Sequence, residues 1–263
     1  MDFEATCDDK APPFPQEVIE FPSVIIDAKT FQTISEFESF VKPVHHPTLT
    51  PFCKTLTTIT QDQVNGAPEF IKVFESHQAW LKENGLSLSG ENWSFVSCGD
   101  WDLRTMLPTQ LKATNITETI PRCYRRWINI KFPFSEFANR KPLGMDGMLN
   151  VFRIPLTGTH HRGIDDCRNI AKILVHLLKN GYQFKFTSQA TKYPPLNLEV
   201  CLKGSNEKVR VTLNKRSVQA LLSLGSATFK MRITKVYHLT KNEPILNDAQ
   251  IENLHQNTQL QFS

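Results

Sequence analysis

Asp2 and Glu4 put two carboxylates two positions apart near the start of the chain. In an extended strand alternate side chains share a face, so both acids would point to one place. Carboxylates aimed at one point repel unless a cation lies between them, and oxygen-only donors favour Mg²⁺ or Mn²⁺. Alone, such a pair is an ordinary solvated strand face, but further acids follow. Asp100 and Asp102 lie in Gly99-Asp100-Trp101-Asp102, just past an apolar strand. Strand ends of α/β sheets carry site residues there, and plain turn formation suits the same aspartates. His160-His161-Arg162-Gly163-Ile164-Asp165-Asp166 stands directly before an apolar-periodic run. Either aspartate fits a helix N-cap or a metal ligand, and a neutral imidazole fits a general base. Spacing does not choose between His160 with Asp165 and His161 with Asp166. Four carboxylates and a histidine on separate elements suit two-metal hydrolysis of a phosphodiester.

The elements that must position these groups alternate between strand and helix. Glu17–Asp27 is β-branched and apolar, as in a buried strand. In Phe31–Val44, Phe37 and Phe40 have helical spacing, and Val41-Lys42-Pro43 is expected to be a strand end. Residues 67–84 repeat Phe70, Val73, Phe74 and Trp80 on one helical face. Trp93–Cys98 predicts a short strand broken by Gly99. Asp166–Asn180 predicts a helix closed by Gly181. This alternation indicates an α/β domain over residues 1–186. Thr187–Asn197, with Pro194-Pro195, is expected to be a linker. Residues 198–263 predict a hairpin (Leu198–Lys203, Lys208–Leu213), a helix from Ser217 to Leu224 stopped by Gly225, and strands at Arg232–Leu239 and Thr258–Phe262. That pattern is a small α+β module.

The 263 residues, 40% hydrophobic and 21% charged, suit a soluble globular chain of one or two domains. No apolar run reaches the roughly 18 residues of a membrane span, and no secretory leader is recognisable, so no membrane partner is expected. The six cysteines are scattered without C-x-x-C pairs, which points to reduced thiols in cytoplasm or nucleus. Net charge is +4, and residues 187–263 carry 10 Lys and Arg against 5 Asp and Glu. Basic surface of that size permits phosphate binding without requiring it.

The ordered blocks Asp2-Phe-Glu-Ala-Thr-Cys7, Gln16–Pro22, Phe52–Gln61, Cys98–Asp102, Trp127–Ile130 and His161–Ile170 resemble the DEDDh 3′-to-5′ exonucleases. Within them the likeness is to the enhanced-RNAi branch, which includes the histone-mRNA 3′-exoribonuclease, and it spans about two-thirds of the chain. The resemblance implies an RNase H-like α/β fold, with a central mixed sheet flanked by helices. It also implies release of 5′-mononucleotides from RNA 3′ ends, as single-stranded overhangs or stem-loops. Its pattern H-x-G-hydrophobic-D-D-x-x-N selects His161 as general base and Asp166, with Asp2, Glu4 and Asp102, as ligands of two Mg²⁺, for which Mn²⁺ can substitute. Thr6, Phe52, Leu56 and Trp101 match positions that hold the terminal nucleotide, although simple core packing suits Phe52 equally. DNA as substrate, and a catalytically impaired RNA- or protein-binding scaffold, are the alternative readings. Arg162 departs from the family's usual small residue, pointing either to a phosphate or to water. Thr57-Thr58-Ile59 replaces the usual Thr-Gly, so a stiffer loop is expected beside the base. Only Met1 precedes the first acid, so either a truncated reading frame or a short strand with Asp2 poorly anchored is expected. The C-terminal module resembles ubiquitin-like β-grasp domains of the doublecortin type, able to hold RNA or a protein partner.

Overall fold

The computed structural model describes residues 1–11, 13–115, 120–190, 196–205, 207–213, 217–240, 243–246, 250–251, 254 and 258–263. They form two compact units, Met1–Ala190 and Thr191–Ser263. In the first, a two-residue β1 (Glu4–Ala5) pairs antiparallel with β2 (Val18–Ile26), and β2 pairs antiparallel with β3 (Thr33–Phe40). Helices α1 (Pro51–Thr57), α2 (Gln61–Asn65) and α3 (Phe70–Glu83) follow. Next, β4 (Phe95–Ser97) leads into a π-helical turn, Trp101–Met106, continuous with α4 (Leu107–Ala113). Then come β5 (Arg126–Asn129), α5 (Lys131–Ala138), α6 (Met145–Phe152), α7 (Gly163–Lys179) and β6 (Ser188–Gln189). Strand β5 runs parallel to β4 and antiparallel to β6.

The expected single mixed sheet is therefore two three-stranded sheets. The Met1 nitrogen, donating to the Val96 carbonyl at 2.9 Å, links their inner edges. The first strand is only two residues long, yet Asp2 is well anchored. Met1 and Phe3, on either side of it, are both buried, and the Phe3 amide donates to Asp102 at 2.7 Å.

Phe21 of β2 is fully buried against Phe3, Phe37, Phe70 and Phe74. Burying a side chain of this size contributes roughly 1.5–3 kcal/mol. His77 on α3 lies in the same cluster, with its ring nitrogens at 2.8 Å from Tyr124 Oη and 2.9 Å from Ser23 Oγ. A second cluster, with Ile130, Phe134, Met148, Leu149, Ile170, Ile173 and Leu177, packs α7 against α5 and α6. Local signals set the helix ends. Thr50 accepts from the Cys53 amide and Pro51 opens α1, while Thr60 and Gln63 form a capping box on α2.

Other expectations change as well. Phe37 and Phe40 lie on a strand, where Ser35, Phe37 and Ser39 are partly buried and Ile34, Glu36 and Glu38 are exposed. A period of two prevails because every second residue meets α3 and the Phe21 cluster. Helix α7 begins three residues earlier than expected, at Gly163. The linker shortens at both ends: β6 pairs with β5, so Thr187–Ala190 belongs to the first unit, and β7 starts at Leu196. Residues 191–195, with Pro194-Pro195, lie outside the described residues.

The second unit contains β7 (Leu196–Leu202), β8 (Val209–Leu213), α8 (Val218–Phe229), β9 (Val236–His238), β10 (Glu243–Pro244) and β11 (Thr258–Phe262). Its sheet order is β10-β9-β11-β7-β8, with β11 parallel to β7 and the other pairs antiparallel. Gly225, expected to stop the helix, lies inside α8. A Cβ there would stand 2.9 Å from the Phe262 ring, so the glycine serves close packing. In the segment 243–254, residues 247–249 and 252–253 fall outside the described residues. Among those described, no helix is long and apolar enough to cross a membrane.

Candidate active site

Backbone geometry brings the acids together from three elements. Asp2 and Glu4 flank Phe3 at the start of β1, and Asp166 lies in the first turn of α7. One carboxylate oxygen from each of these three lies within 4.8 Å of the others. Asp102, buried in the π-helical turn, reaches the same strand by accepting the Phe3 amide. A π-helical turn is rare and tends to mark functional positions. Here it carries Asp102 inward while leaving Trp101 exposed.

Gly163 allows this convergence. A Cβ on it would meet Pro22 Cγ at 2.8 Å and the Asp2 carbonyl at 2.9 Å, so only glycine lets α7 approach β1 this closely. Glu20, fully buried and cross-strand from Glu4, accepts the Gly163 and Ile164 amides at 3.1 Å each. It thereby caps α7 from a distant strand. Nothing in the sequence singled out Glu20, because its role depends on the β1–β2 register.

The paired candidates separate by their partners. Asp100 accepts from Trp127 Nε1 at 3.0 Å and pairs with Arg104 at 3.0 Å, so it fixes the turn. Asp165 accepts the Thr159 amide at 2.9 Å and pairs with Arg168. Asp166 instead joins Asp2 and Glu4 and accepts the His161 amide at 2.9 Å. The imidazole nearest Asp166 is that of His160, whose Nδ1 lies 3.1 Å from Oδ2. The exposed His161 ring stacks on His160, centroids 3.9 Å apart. Asn169 of the D-D-x-x-N pattern ties down the Thr157 backbone in both directions.

Burial and mutual repulsion dominate the electrostatics. Burial, then Asp102 and Asp166, hold the Asp2 carboxyl well above its usual range. Burial, followed by Asp2 and Glu20, pushes Glu4 up to about 10. Asp102 and Asp166 are also raised by burial. Burial, with His160 beside it, lowers His161, which favours its neutral form. Converging oxygen donors that cannot all ionise alone are the donor set a divalent cation requires. Asp2, Glu4 and Asp166, with Asp102 beside them, fit such a centre.

The proposed base contacts are partly at the surface. Phe52 on α1 and Trp101 are both exposed, so core packing does not account for Phe52. Leu56 is half-buried on the same helix. Thr6 is buried, its hydroxyl accepting the Glu17 amide at 3.0 Å, which is a role in the β1–β2 connection. Thr58, at the usual glycine position, closes α1 with φ 60°, a left-handed conformation unusual for a β-branched residue. Arg162 points neither to water nor to open space: its guanidinium lies against Glu20, Glu38 and the Phe40 ring.

An exonuclease family model matches residues 1–174. ERI1 exoribonuclease 3 of Homo sapiens is 40% identical over 190 residues, covering 72% of this chain and 56% of that protein. The chain thus spans a little over half the length of such curated relatives. Among solved structures, the nuclease domain of 3′hExo, a DEDDh family member bound to rAMP, superposes with a TM-score of 0.68 at 32% identity. That match covers 72% of this chain and 94% of the other. A 3′-exonuclease described in specific recognition of the histone mRNA stem-loop 3′ end gives 0.67 at 29% identity, covering 80% and 88%. The first unit accordingly has the RNase H-like α/β exonuclease fold, and DEDDh exonucleases depend on divalent metal. The chain belongs to the exonuclease family, in its DEDDh class and on the ERI1 branch.

Proposed function

We propose that the chain is a 3′-to-5′ exoribonuclease releasing 5′-mononucleotides from single-stranded or stem-loop RNA 3′ ends. The observation that carries this reading is the convergence of Asp2, Glu4 and Asp166, with Asp102 beside them, in one largely buried cluster of carboxylates. In this reading those four carboxylates hold two Mg²⁺, with Mn²⁺ able to replace them. When bound, the ions supply charge neutralisation at the scissile phosphate and a lowered pKa for the attacking water. His161 takes the proton from that water at an imidazole nitrogen. Its exposed ring and lowered pKa suit a base that is neutral near pH 7. Phe52, Leu56 and Trp101 provide apolar faces for the terminal base, and Thr6 fixes the backbone beneath the terminal nucleotide. RNA is favoured as substrate because the relatives are named exoribonucleases and one neighbour holds rAMP.

For the second unit we propose a ubiquitin-like β-grasp. A hairpin, a crossing helix and a parallel return strand between β7 and β9 support it. Its basic surplus suits RNA or an acidic protein partner. The six free thiols accord with a reducing cytoplasm or nucleus.

The test is digestion of matched end-labelled RNA and DNA oligonucleotides by the full chain, with Mg²⁺, Mn²⁺ or chelator. Mononucleotides released faster from RNA, and only with metal, are expected. His161→Ala should lose about 10²- to 10⁴-fold, and His160→Ala far less. No release with either metal would overturn the enzymatic reading, and faster loss of DNA would overturn the substrate.

A further inference from the structure

His161 occupies a backbone conformation that an L-residue avoids. Its φ is +66°, inside a turn closed by the Arg162 amide donating to the Thr159 carbonyl at 3.1 Å. A left-handed residue with a side chain costs roughly 1–2 kcal/mol, so it persists only where its surroundings hold it. One grip is the His161 amide on Asp166 Oδ2. The other comes from the next residue. Arg162 Nε lies 3.2 Å from Glu20 Oε1, in a contact that is ionic because its N–H does not point at the oxygen. Nη2 donates to Glu38 Oε1 at 2.5 Å, and the guanidinium carbon lies 4.6 Å from the centre of the Phe40 ring. A planar fork able to pair with carboxylates and stack on an aromatic face is a property of arginine that lysine lacks.

We infer that Arg162 is a positioning residue for His161. This rests on the reading of His161 as general base. By seating on β2 and β3, Arg162 pins the C-terminal side of the histidine turn, while Asp166 pins the N–H of the histidine itself. Glu20 ties the two together, because the same carboxylate caps the Gly163 and Ile164 amides that begin α7. The Arg162 side chain is only 17% exposed and its guanidinium is engaged by Glu20, Glu38 and Phe40, so it is not free to take a substrate phosphate.

The experiment measures kcat and KM for mononucleotide release from a short single-stranded RNA by the full chain. The variants are Arg162→Ala, Arg162→Lys, Glu38→Gln, His161→Ala and the Arg162→Ala/His161→Ala double. Misplacing a reacting group by about 1 Å can cost on the order of 100-fold, so Arg162→Ala should lose about that factor in kcat with KM little changed. Arg162→Lys should recover part of it. Glu38→Gln removes only the outer anchor from an exposed strand residue and should lose up to about fivefold. It carries the test if Arg162→Ala does not fold. The deciding result is coupling: once His161 is alanine, removing Arg162 should cost nothing further. A wild-type kcat in Arg162→Ala, a salt-sensitive rise in KM alone, or a full additional loss on top of His161→Ala would each overturn the inference. If the wild-type chain itself releases no mononucleotide, the parent reading falls, and a wild-type rate with an unaltered variant would sink only this one.

Discussion

Two buried polar centres lie within the first unit, and the protein treats them in opposite ways. His77 is fully enclosed by aromatic rings, with Phe21 at 4.4 Å and Phe37 at 5.0 Å, and each ring nitrogen has a hydroxyl partner. Burial lowers its pKa to about 3, so it stays neutral, and its polar atoms are satisfied by the fold. Around Glu4, by contrast, the charges that act most strongly are Asp2, Glu20, Asp166 and Asp102, all carboxylates. A buried group whose needs are met by the chain acts as structure. A buried group whose charge the chain leaves unbalanced is arranged for something the chain must bind.

Exchanging the two behaviours tests that contrast. Asp102→Asn keeps an oxygen for the Phe3 amide but loses the charge. Release of mononucleotides should fall about a thousandfold, the several kcal/mol that charge stabilisation at a metal centre supplies. The thermal midpoint of the chelator-treated protein should rise, because a repulsion has gone. A lower midpoint in that variant would show that Asp102 stabilises the fold, as His77 does. His77→Ala should do the reverse. It opens a cavity among the rings and strands the Tyr124 and Ser23 hydroxyls, at about 3 kcal/mol in denaturant unfolding. Its activity per folded molecule should stay near wild type at low temperature.

Most of the site's residue types were legible in the sequence, while several of its choices were not. The spacing of Asp2 and Glu4 announces a shared face even though β1 proves only two residues long. Spacing left Asp100 against Asp102 open, and Asp165 against Asp166. What separates them is that Asp100 and Asp165 are each paired with an arginine one turn away, Arg104 and Arg168, and accept from Trp127 and Thr159, whereas the fold turns Asp102 and Asp166 toward Asp2. Glu20 was invisible for the same reason, since an acid in an apolar strand run acquires meaning only opposite Glu4. Phe37 and Phe40 misled because a three-residue interval fits a helix. The alternating Glu36 and Glu38 carried the strand signal. Gly225 misled because a glycine that ends a helix and one that admits Phe262 look identical in a sequence.

The prediction that engages both centres at once is the pH dependence of stability. His77 has a folded pKa of about 3 against an ordinary 6.5. Below 6.5 the unfolded chain takes a proton that the folded chain refuses, so this contribution is present above 6.5 and is lost as pH falls toward 3. Glu4 runs the other way, at about 10 folded against 4.5. Its contribution is present below 4.5 and is lost as pH rises toward 10, because the folded state resists ionisation. Each slope is at most about 1.4 kcal/mol per pH unit. Unfolding of the chelator-treated protein should therefore give a stability maximum between about pH 4.5 and 6.5, falling on both sides. Saturating Mg²⁺ should flatten the alkaline limb alone, since a cation removes the penalty for ionised carboxylates and does nothing for His77. His77→Gln should flatten the acid limb alone. An alkaline limb unmoved by metal would mean that the acids are not a cation's donor set.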